Sequence, residues 1–258
     1  MITSAENTRI KEVIRLNTKS KERREKGLFA AEGRKLFLET PPGLREQVFV
    51  SASFEKKEPE LLKGCRYEVV DDRLFLKMSD TQTPQGILTV ARMPQYDRED
   101  LLKGEGQPLI LVLEDLQDPG NVGTILRTAE AAGVTGVFLS GKCADIFQPK
   151  VIRATMGAIF RVPFCVEKDL CDTADWLRGK GVCLYAAVLE GSESFFQNSY
   201  RKASAFLIGN EGNGLSRELA ESADQRVRIP MSGNVESLNA AVAAAVFLYE
   251  AKRQRIQI

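Results

Sequence analysis

Apolar spacing divides the chain into two stretches of different character. After residue 108, strand-like and helix-like patterns alternate. LILVLED (109–115) is a continuous apolar run, as expected of a strand buried on both faces. Val122, Ile125, Leu126 and Ala129 then recur at helical spacing, and Gly133 stands where a left-handed residue ends a helix. GVFLS (136–140) predicts a strand, a helix follows around 148–156, IFRVPF (159–164) predicts a strand and DTADWLR (172–178) a helix. VCLYAAVL (182–189) and AFLIG (205–209) are two further buried strands. This alternation predicts an α/β domain with a parallel sheet and crossover helices, in the doubly wound class. The last helix is apolar at every position from Ala240 to Tyr249, and five of those ten residues are Ala. Such a pattern leaves no face for water, so the helix should be buried in the core or shared with a second subunit. Lys252, Arg253 and Arg255 then suit the negative end of its dipole.

The first stretch reads differently. A helix-like segment, 5–16, precedes a basic run and FAAEGRKLFLE (29–39). Short strands follow at QVFVS (47–51), YEVV (67–70) and GILTVA (86–91), with helix-capable segments between them. That is a small α/β or α+β domain. RMPQYDREDLLKGEGQ (92–107) breaks the apolar pattern with Pro, Gly and charge. The expected organisation is therefore a domain at 1–95, a linker at 96–107 and a second domain at 108–258.

Charge and composition narrow the chemistry. With 258 residues and a net charge of +1, nothing in bulk points to a polyanion. Residues 9–35, however, hold ten Lys or Arg against four Glu, which reads as a local footprint for RNA or as a solvated basic surface. MITSAENTRIKE lacks the apolar core of a signal peptide, and no run approaches the ~18 apolar residues of a membrane span. Cys65, Cys143, Cys165, Cys171 and Cys183 are odd in number and lack CxxC spacing, which suits reduced thiols in a cytoplasm. Histidine is absent, so Ser-His-Asp triads, HExxH zinc sites and imidazole acid–base chemistry are excluded, and no metal site is expected.

Three blocks remain in which an apolar run breaks into a Gly- and Asn-rich loop and a helical pattern follows. LEDLQDPGNVGTILRTAEAAGV spans 113–134, LIGNEGNGLS 207–216, and IPMSGNVESLNAAVAAAVFLYEAKRQ 229–254. Ligands bind at the carboxyl ends of strands in such sheets. In the first block Asp118 or Asn121 can cap the following helix, and Arg127 lies opposite its apolar face, as a surface residue or as a phosphate ligand. In the second, Gly209, Gly212 and Gly214 give GxxGxG, the reverse of the dinucleotide fingerprint, and Glu211 sits between glycines as a loop carboxylate or a hydroxyl acceptor. In the third, Ser237 is a candidate helix cap, and Ser237 and Asn239 flank Leu238 as a polar pair suited to a pocket.

In this order, the blocks resemble the SpoU (TrmH) branch of the SPOUT RNA methyltransferases over about 108–254, together with TMGAIFRVP (155–163). The resemblance implies a trefoil-knotted catalytic domain, S-adenosylmethionine as cofactor, a homodimer with sites at the interface, and methylation of a ribose 2′-hydroxyl in RNA, ribosomal rather than transfer RNA. It assigns Asn121, Arg127, Glu211, Ser237 and Asn239 to the catalytic set. Leu189, Gly209, Asn210, Ile229, Met231 and Leu238 would hold the cofactor. FAAEGRKLFLE and TPQGILTVA also resemble the ribosomal-protein-L30-like domain that many members use to grip RNA. Alternatives are a transfer-RNA 2′-O-methyltransferase, a non-catalytic RNA-binding protein using GNVG (120–123) as a KH-type loop, and a nucleotide-dependent oxidoreductase, which the glycine order disfavours.

Overall fold

The computed structural model describes residues 1–189, 193–235 and 237–256. Contacts cluster into two units, Met1–Pro94 with Asp145–Phe160, and Gln95–Ala144 with Arg161–Ile258.

The first unit begins with α1 (Thr8–Thr18) and α2 (Ser20–Lys26), then β1 (Leu28–Glu32), α3 (Arg34–Glu39), β2 (Arg45–Ser51), α4 (Ala52–Lys57), β3 (Glu68–Val70), α5 (Asp72–Met78) and β4 (Ile87–Arg92). The strands form one sheet in the order β1-β4-β2-β3, with β4 antiparallel to both neighbours and β2 parallel to β3. Alternate strand residues build two cores. Phe49, Leu88 and Val90 pack with Ile10, Val13 and Leu16 of α1 and Leu74, Phe75 and Met78 of α5. Val48, Val50 and Ile87 pack with Phe37, Phe54 and Leu62.

Most of the basic residues in 9–35 are neutralised within this unit. Arg9, Lys11, Arg15, Lys21, Lys26, Arg34 and Lys35 each pair with a glutamate. Arg23 is 4% exposed and is a fold residue. Its Nε and Nη2 donate to Asp145 at 3.1 and 2.6 Å, and its Nη1 donates to the Leu16 and Asn17 carbonyls at 2.6 and 3.3 Å. Only Lys19 and Arg24 of that run have no ion pair among the described residues. Removing one partner of a buried pair costs about 3–5 kcal/mol. Arg23→Ala should therefore lower the melting temperature by several degrees, whereas Lys19→Ala and Arg24→Ala should not; a calorimetric scan checks both.

In the second unit β5 (Leu109–Leu113) leads into α6 (Pro119–Ala132), which ends on Gly133 at φ 84°, as the sequence predicts. β6 (Gly136–Ser140) follows. α7 (Pro149–Thr155) belongs with the first unit, where Phe147 and Phe160 pack on Phe29 at 5.0 and 5.9 Å. The chain continues through β7 (Phe164–Glu167), α8 (Leu170–Gly179), β8 (Cys183–Ala187), β9 (Glu193–Ser194), β10 (Ser204–Ile208), α9 (Arg217–Glu221), β11 (Gln225–Arg228) and α10 (Ala240–Arg255). IFRVPF is thus not a strand: Ala158–Phe160 is a 3₁₀ turn and β7 starts at Phe164. Met156 at φ 52° and Gly157 at φ 100° turn the chain before it, which apolarity alone does not signal.

All seven strands pair in parallel, in the order β7-β6-β5-β10-β8-β11-β9. β5 and β10 lie at the centre and every residue in them is buried, which explains their unbroken apolar sequences. The chain runs outward from β5 through β6 and β7, returns to β8 on the other side, and inserts β10 between β5 and β8. Winding therefore reverses beside β5, and the carboxyl ends there are where a ligand crevice forms.

The stretch that reads as a linker is packed on this unit. Leu101 is fully buried against Gly136, where any Cβ would overlap it. Arg98 bonds both oxygens of Glu167 at 2.9 and 2.8 Å and lies over the Trp176 ring.

α10 is covered by its own chain along one face. Ala240, Ala241, Ala244, Phe247, Leu248 and Ala251 are buried, but Val242 and Tyr249 are 49% and 50% exposed. The opposite, apolar face stays open in one chain because this helix is covered on one side only. Its far end is anchored by Arg255, which donates to the carbonyls of Tyr200, Gln107, Pro108 and Lys202 at 2.6–3.1 Å.

Candidate active site

Three loops meet at the carboxyl ends of β5, β8, β10 and β11. The first starts at Asp115, a non-glycine residue at φ 53°. Asp tolerates this left-handed backbone better than most residues. Here it is held on three sides: its amide donates to Ser140 Oγ at 2.9 Å, Ser140 Oγ donates to its carboxylate at 2.6 Å, and its carbonyl accepts from Asn210 Nδ2 at 2.8 Å. Asp118 then caps α6 by accepting from the Asn121 amide at 2.9 Å, with Pro119 in the first turn. Of the two cap candidates Asp118 is the cap, which frees the Asn121 side chain for other work.

The second loop is hung from the end of β5 at three points. Asn210 bonds Asp115 as described, while its Oδ1 accepts from the Gly212 and Asn213 amides at 2.9 and 3.1 Å. Glu114 takes the amide and hydroxyl of Ser216 at 2.6 and 2.7 Å, and that hydroxyl caps α9. Glu211 accepts from the Gln117 and Asp118 amides at 3.3 Å each and from Asn121 Nδ2 at 2.9 Å. Burial acts to raise the Glu211 pKa, but these hydrogen bonds, led by Asn121, outweigh it and hold the carboxyl below its ordinary value. Glu211 is thus an ionised anchor at neutral pH, not a free base.

Asn239 completes the arrangement from the third loop. Its Nδ2 donates to Asn121 Oδ1 at 3.0 Å, and its Oδ1 caps α10 by accepting from the Ala241 and Val242 amides at 2.9 and 3.3 Å. The amide orientations fix one another. An ionised Glu211 can only accept, so Asn121 must turn its NH₂ towards it; the Asn121 oxygen then faces the Asn239 NH₂, leaving the Asn239 oxygen for the helix. Residues 211, 121 and 239 form one directional chain across all three blocks. Asn239, not Ser237, is therefore the cap of α10.

Beside this chain lies a cavity of about 480 Å³ at the ends of β8, β10 and β11. All six residues expected at a cofactor, Leu189, Gly209, Asn210, Ile229, Met231 and Leu238, line it, as do Glu211 and Ser237. Its size falls within the ~300–1,000 Å³ of small-molecule sites. Its walls combine apolar side chains such as Phe247 with the amide-rich 209–215 loop. Arg127 is not brought in: it is exposed on α6 and does not line the cavity. GNVG lies at residues 120–123 inside the start of α6, so it is no loop between two helices and the KH reading fails. Glu114, Asn213 and Arg228 belong to the site yet escape the sequence reading. The signal for Arg228 was the short strand QRVR, whose three polar residues hide a single buried Val227.

A parallel sheet with such a cavity at its switch point, closed by three glycine- and asparagine-rich loops, defines a nucleotide-type ligand site of the α/β class. Residues 108–249 match the SpoU rRNA methylase family, and residues 7–89 match an MRM3-like substrate binding domain. The chain belongs to the SpoU rRNA methylase family. It is 34% identical over 251 residues to the 23S rRNA (guanosine(2553)-2′-O)-methyltransferase RlmP of Bacillus subtilis strain 168, covering 96% of this chain and 97% of that protein. It is similar to the AdoMet-bound rRNA methyltransferase from Sinorhizobium meliloti, with a TM-score of 0.86, 31% identity, and 99% and 98% of the two chains covered. It is also similar to the SpoU methyltransferase AviRb from Streptomyces viridochromogenes in complex with AdoMet, at 28% identity and a TM-score of 0.84 over 96% and 99% of the chains.

Proposed function

We propose that this protein is an S-adenosylmethionine-dependent RNA methyltransferase that modifies a ribose 2′-hydroxyl, in ribosomal rather than transfer RNA. The observation that carries this reading is the Glu211–Asn121–Asn239 chain, which locks three loops around one cavity. Leu189, Gly209, Asn210, Ile229, Met231 and Leu238 would hold S-adenosylmethionine, whose sulfonium methyl is itself an electrophile. The chain's own part is to bind, orient and stabilise. Asn121, Glu211 and Asn239 hold the loops in register, and Ser237 presents a hydroxyl at the cavity wall. Arg127 clamps a phosphate and polarises the 2′-oxygen, because a guanidinium fits two oxygens and is too basic to take a proton itself.

Arg127 works at a site that a second protomer completes. A shallow groove of about 490 Å³ between α6 and α10 is lined by Thr124, Thr128, Val242, Ala245, Val246 and Tyr249, and its apolar rim is what a homodimer would cover. Insertion of β10 between two strands already traversed, followed by return of α10 onto α6, supports a trefoil knot in this unit. The 1–95 region serves as the L30-like RNA grip of a methyltransferase domain within 108–258, and Lys19 and Arg24 are among its exposed cations. No helix among the described residues is long and apolar enough to cross a membrane. We place the enzyme in the cytoplasm.

The test is methyl transfer to 23S rRNA by the purified chain, with the product mapped for 2′-O-methylation and the mass of the protein measured by sedimentation. Methyl on a base, or loss of activity with a chelator, would overturn the reaction; a stable monomer at micromolar concentration would overturn the assembly.

One substitution interrogates the amide chain itself. Asn121→Asp faces Glu211 with a second carboxylate, and two such groups at hydrogen-bond distance cannot both ionise cheaply. The protonated new carboxyl can donate to Glu211 as Asn121 did; the ionised one cannot. Activity should therefore be partly retained at pH 6 and fall as pH rises through the pair's raised pKa. A pH profile of kcat/KM that parallels wild type would separate Asn121 from Glu211.

A further inference from the structure

We infer that Arg228 is a cofactor residue which pairs with the carboxylate on the methionyl end of S-adenosylmethionine. The inference rests on the cavity being the cofactor site. Its starting point is an uncommitted charge in the cavity wall. Among the described residues lining it, Glu211 and Arg228 are the charged ones. Glu211 is already committed, with its oxygens turned to Gln117, Asp118 and Asn121. Arg228 is exposed and has no hydrogen bond or ion pair among the described residues.

The local backbone explains how Arg228 comes to line the cavity. In β11, Val227 is fully buried, pairs with Ala187 of β8 and Glu193 of β9, and lines the cavity together with Arg228, the next residue. It is the last residue of its strand, at the carboxyl edge where the cavity opens, and Ile229 and Met231 just beyond it also line the wall.

The ligand supplies the matching chemistry. Adenosine and the sulfonium carry no anion, so the amino-acid carboxylate is the one group of S-adenosylmethionine that asks for a cation. A guanidinium meets it with two parallel donors in fixed geometry, which a lysine cannot reproduce. The same carboxylate is present before and after transfer. Arg228 should thus bind substrate and demethylated product alike, acting on KM and leaving kcat near wild type.

The experiment is calorimetric titration of Arg228→Ala and wild type with two probes, S-adenosylhomocysteine and 5′-methylthioadenosine, which share the adenosine and thioether but differ in the amino-acid end. Arg228→Ala should weaken S-adenosylhomocysteine about tenfold, the low end for a charge-assisted pair because the group is exposed, and leave methylthioadenosine unchanged. Arg228→Lys should recover part of the loss. Equal weakening of both probes would make Arg228 a scaffold residue and overturn the inference. So would unchanged binding of both probes with weakened RNA, which would assign the guanidinium to an RNA phosphate. Failure of the wild type to bind either probe would instead overturn the cofactor reading, a distinct outcome.

Discussion

Arg127→Ala is expected to leave the protein folded, assembled and able to bind S-adenosylmethionine, yet to lower single-turnover methylation at saturating RNA by about 100-fold or more. The first half follows from placement. Arg127 is exposed on α6 while Val122, Ile125, Leu126 and Ala129 carry the buried face, so its truncation leaves no cavity and no unpaired buried partner. It lines no part of the cofactor cavity, so binding of S-adenosylhomocysteine should match wild type. The second half follows from chemistry. A ribose hydroxyl is a weak nucleophile, and losing one preorganised donor at a developing charge typically costs about 10²–10³ in rate. Arg127→Lys is the sharper probe, since it retains charge and loses the planar fork; little rescue is expected if two oxygens are held at once. Near-normal turnover in Arg127→Ala would make this an ordinary surface arginine.

That separation of a catalytic arginine from the pocket it serves bears on what the sequence could reveal. The parallel sheet was legible because β5 and β10 are buried on both faces and therefore apolar throughout. Two of the three loops were legible because they follow such strands, and the third because its Gly, Asn and Ser positions precede the apolar run of α10. Edge elements were not: β9 is two residues long, and β11 is QRVR with one buried side chain, so neither leaves an apolar signature. The 96–107 stretch reads as a linker because Pro, Gly and charge dominate it, although Leu101 and Arg98 fix it to the second unit through contacts that no local pattern encodes. Within the site, residue identities were readable but their division of labour was not. Asn121 and Asp118 are equally plausible caps as sequence, and so are Ser237 and Asn239. Local hydrogen bonds assign Asp118 and Asn239 to the helices, and bonds spanning 90 and 118 residues assign Asn121 to the link between loops. The basic run shows the converse error. Its charge excess is real in sequence, but the fold brings carboxylates to most of it, several from outside the run such as Glu39, Glu58, Glu68 and Asp145, and a count of charges within the run cannot see that.

Gly209→Ala should have the largest effect on cofactor binding of any single methyl added to this protein. A Cβ at residue 209 would overlap the Gly214 carbonyl carbon and the Leu215 nitrogen, which are backbone atoms that cannot rotate aside. Relief by moving the 209–215 loop is blocked, because that loop is tied through Asn210 to the Asp115 carbonyl, through Glu211 to Gln117, Asp118 and Asn121, and through Ser216 to Glu114. Something must break, and each of those ties helps form the wall that Gly209, Asn210 and Glu211 present to the cavity. Overpacking of this kind costs about 1–3 kcal/mol or more, enough to weaken S-adenosylhomocysteine by roughly fivefold to a hundredfold or more if it falls on the loop. Two neighbouring glycines serve as controls. At Gly212 the nearest atom to an added Cβ is Asn210 Oδ1 at 3.5 Å, ordinary contact, and at Gly233 nothing lies within 4 Å. Gly212→Ala and Gly233→Ala should therefore bind the cofactor much as wild type does, although all three residues sit in the glycine-rich loops of the same site. Calorimetric titration of the three variants, each with its melting temperature, is the measurement. Wild-type affinity in Gly209→Ala would mean that the loop can shift as a body, and that its ties to Asp115, Asn121 and Glu114 do not set the shape of the pocket.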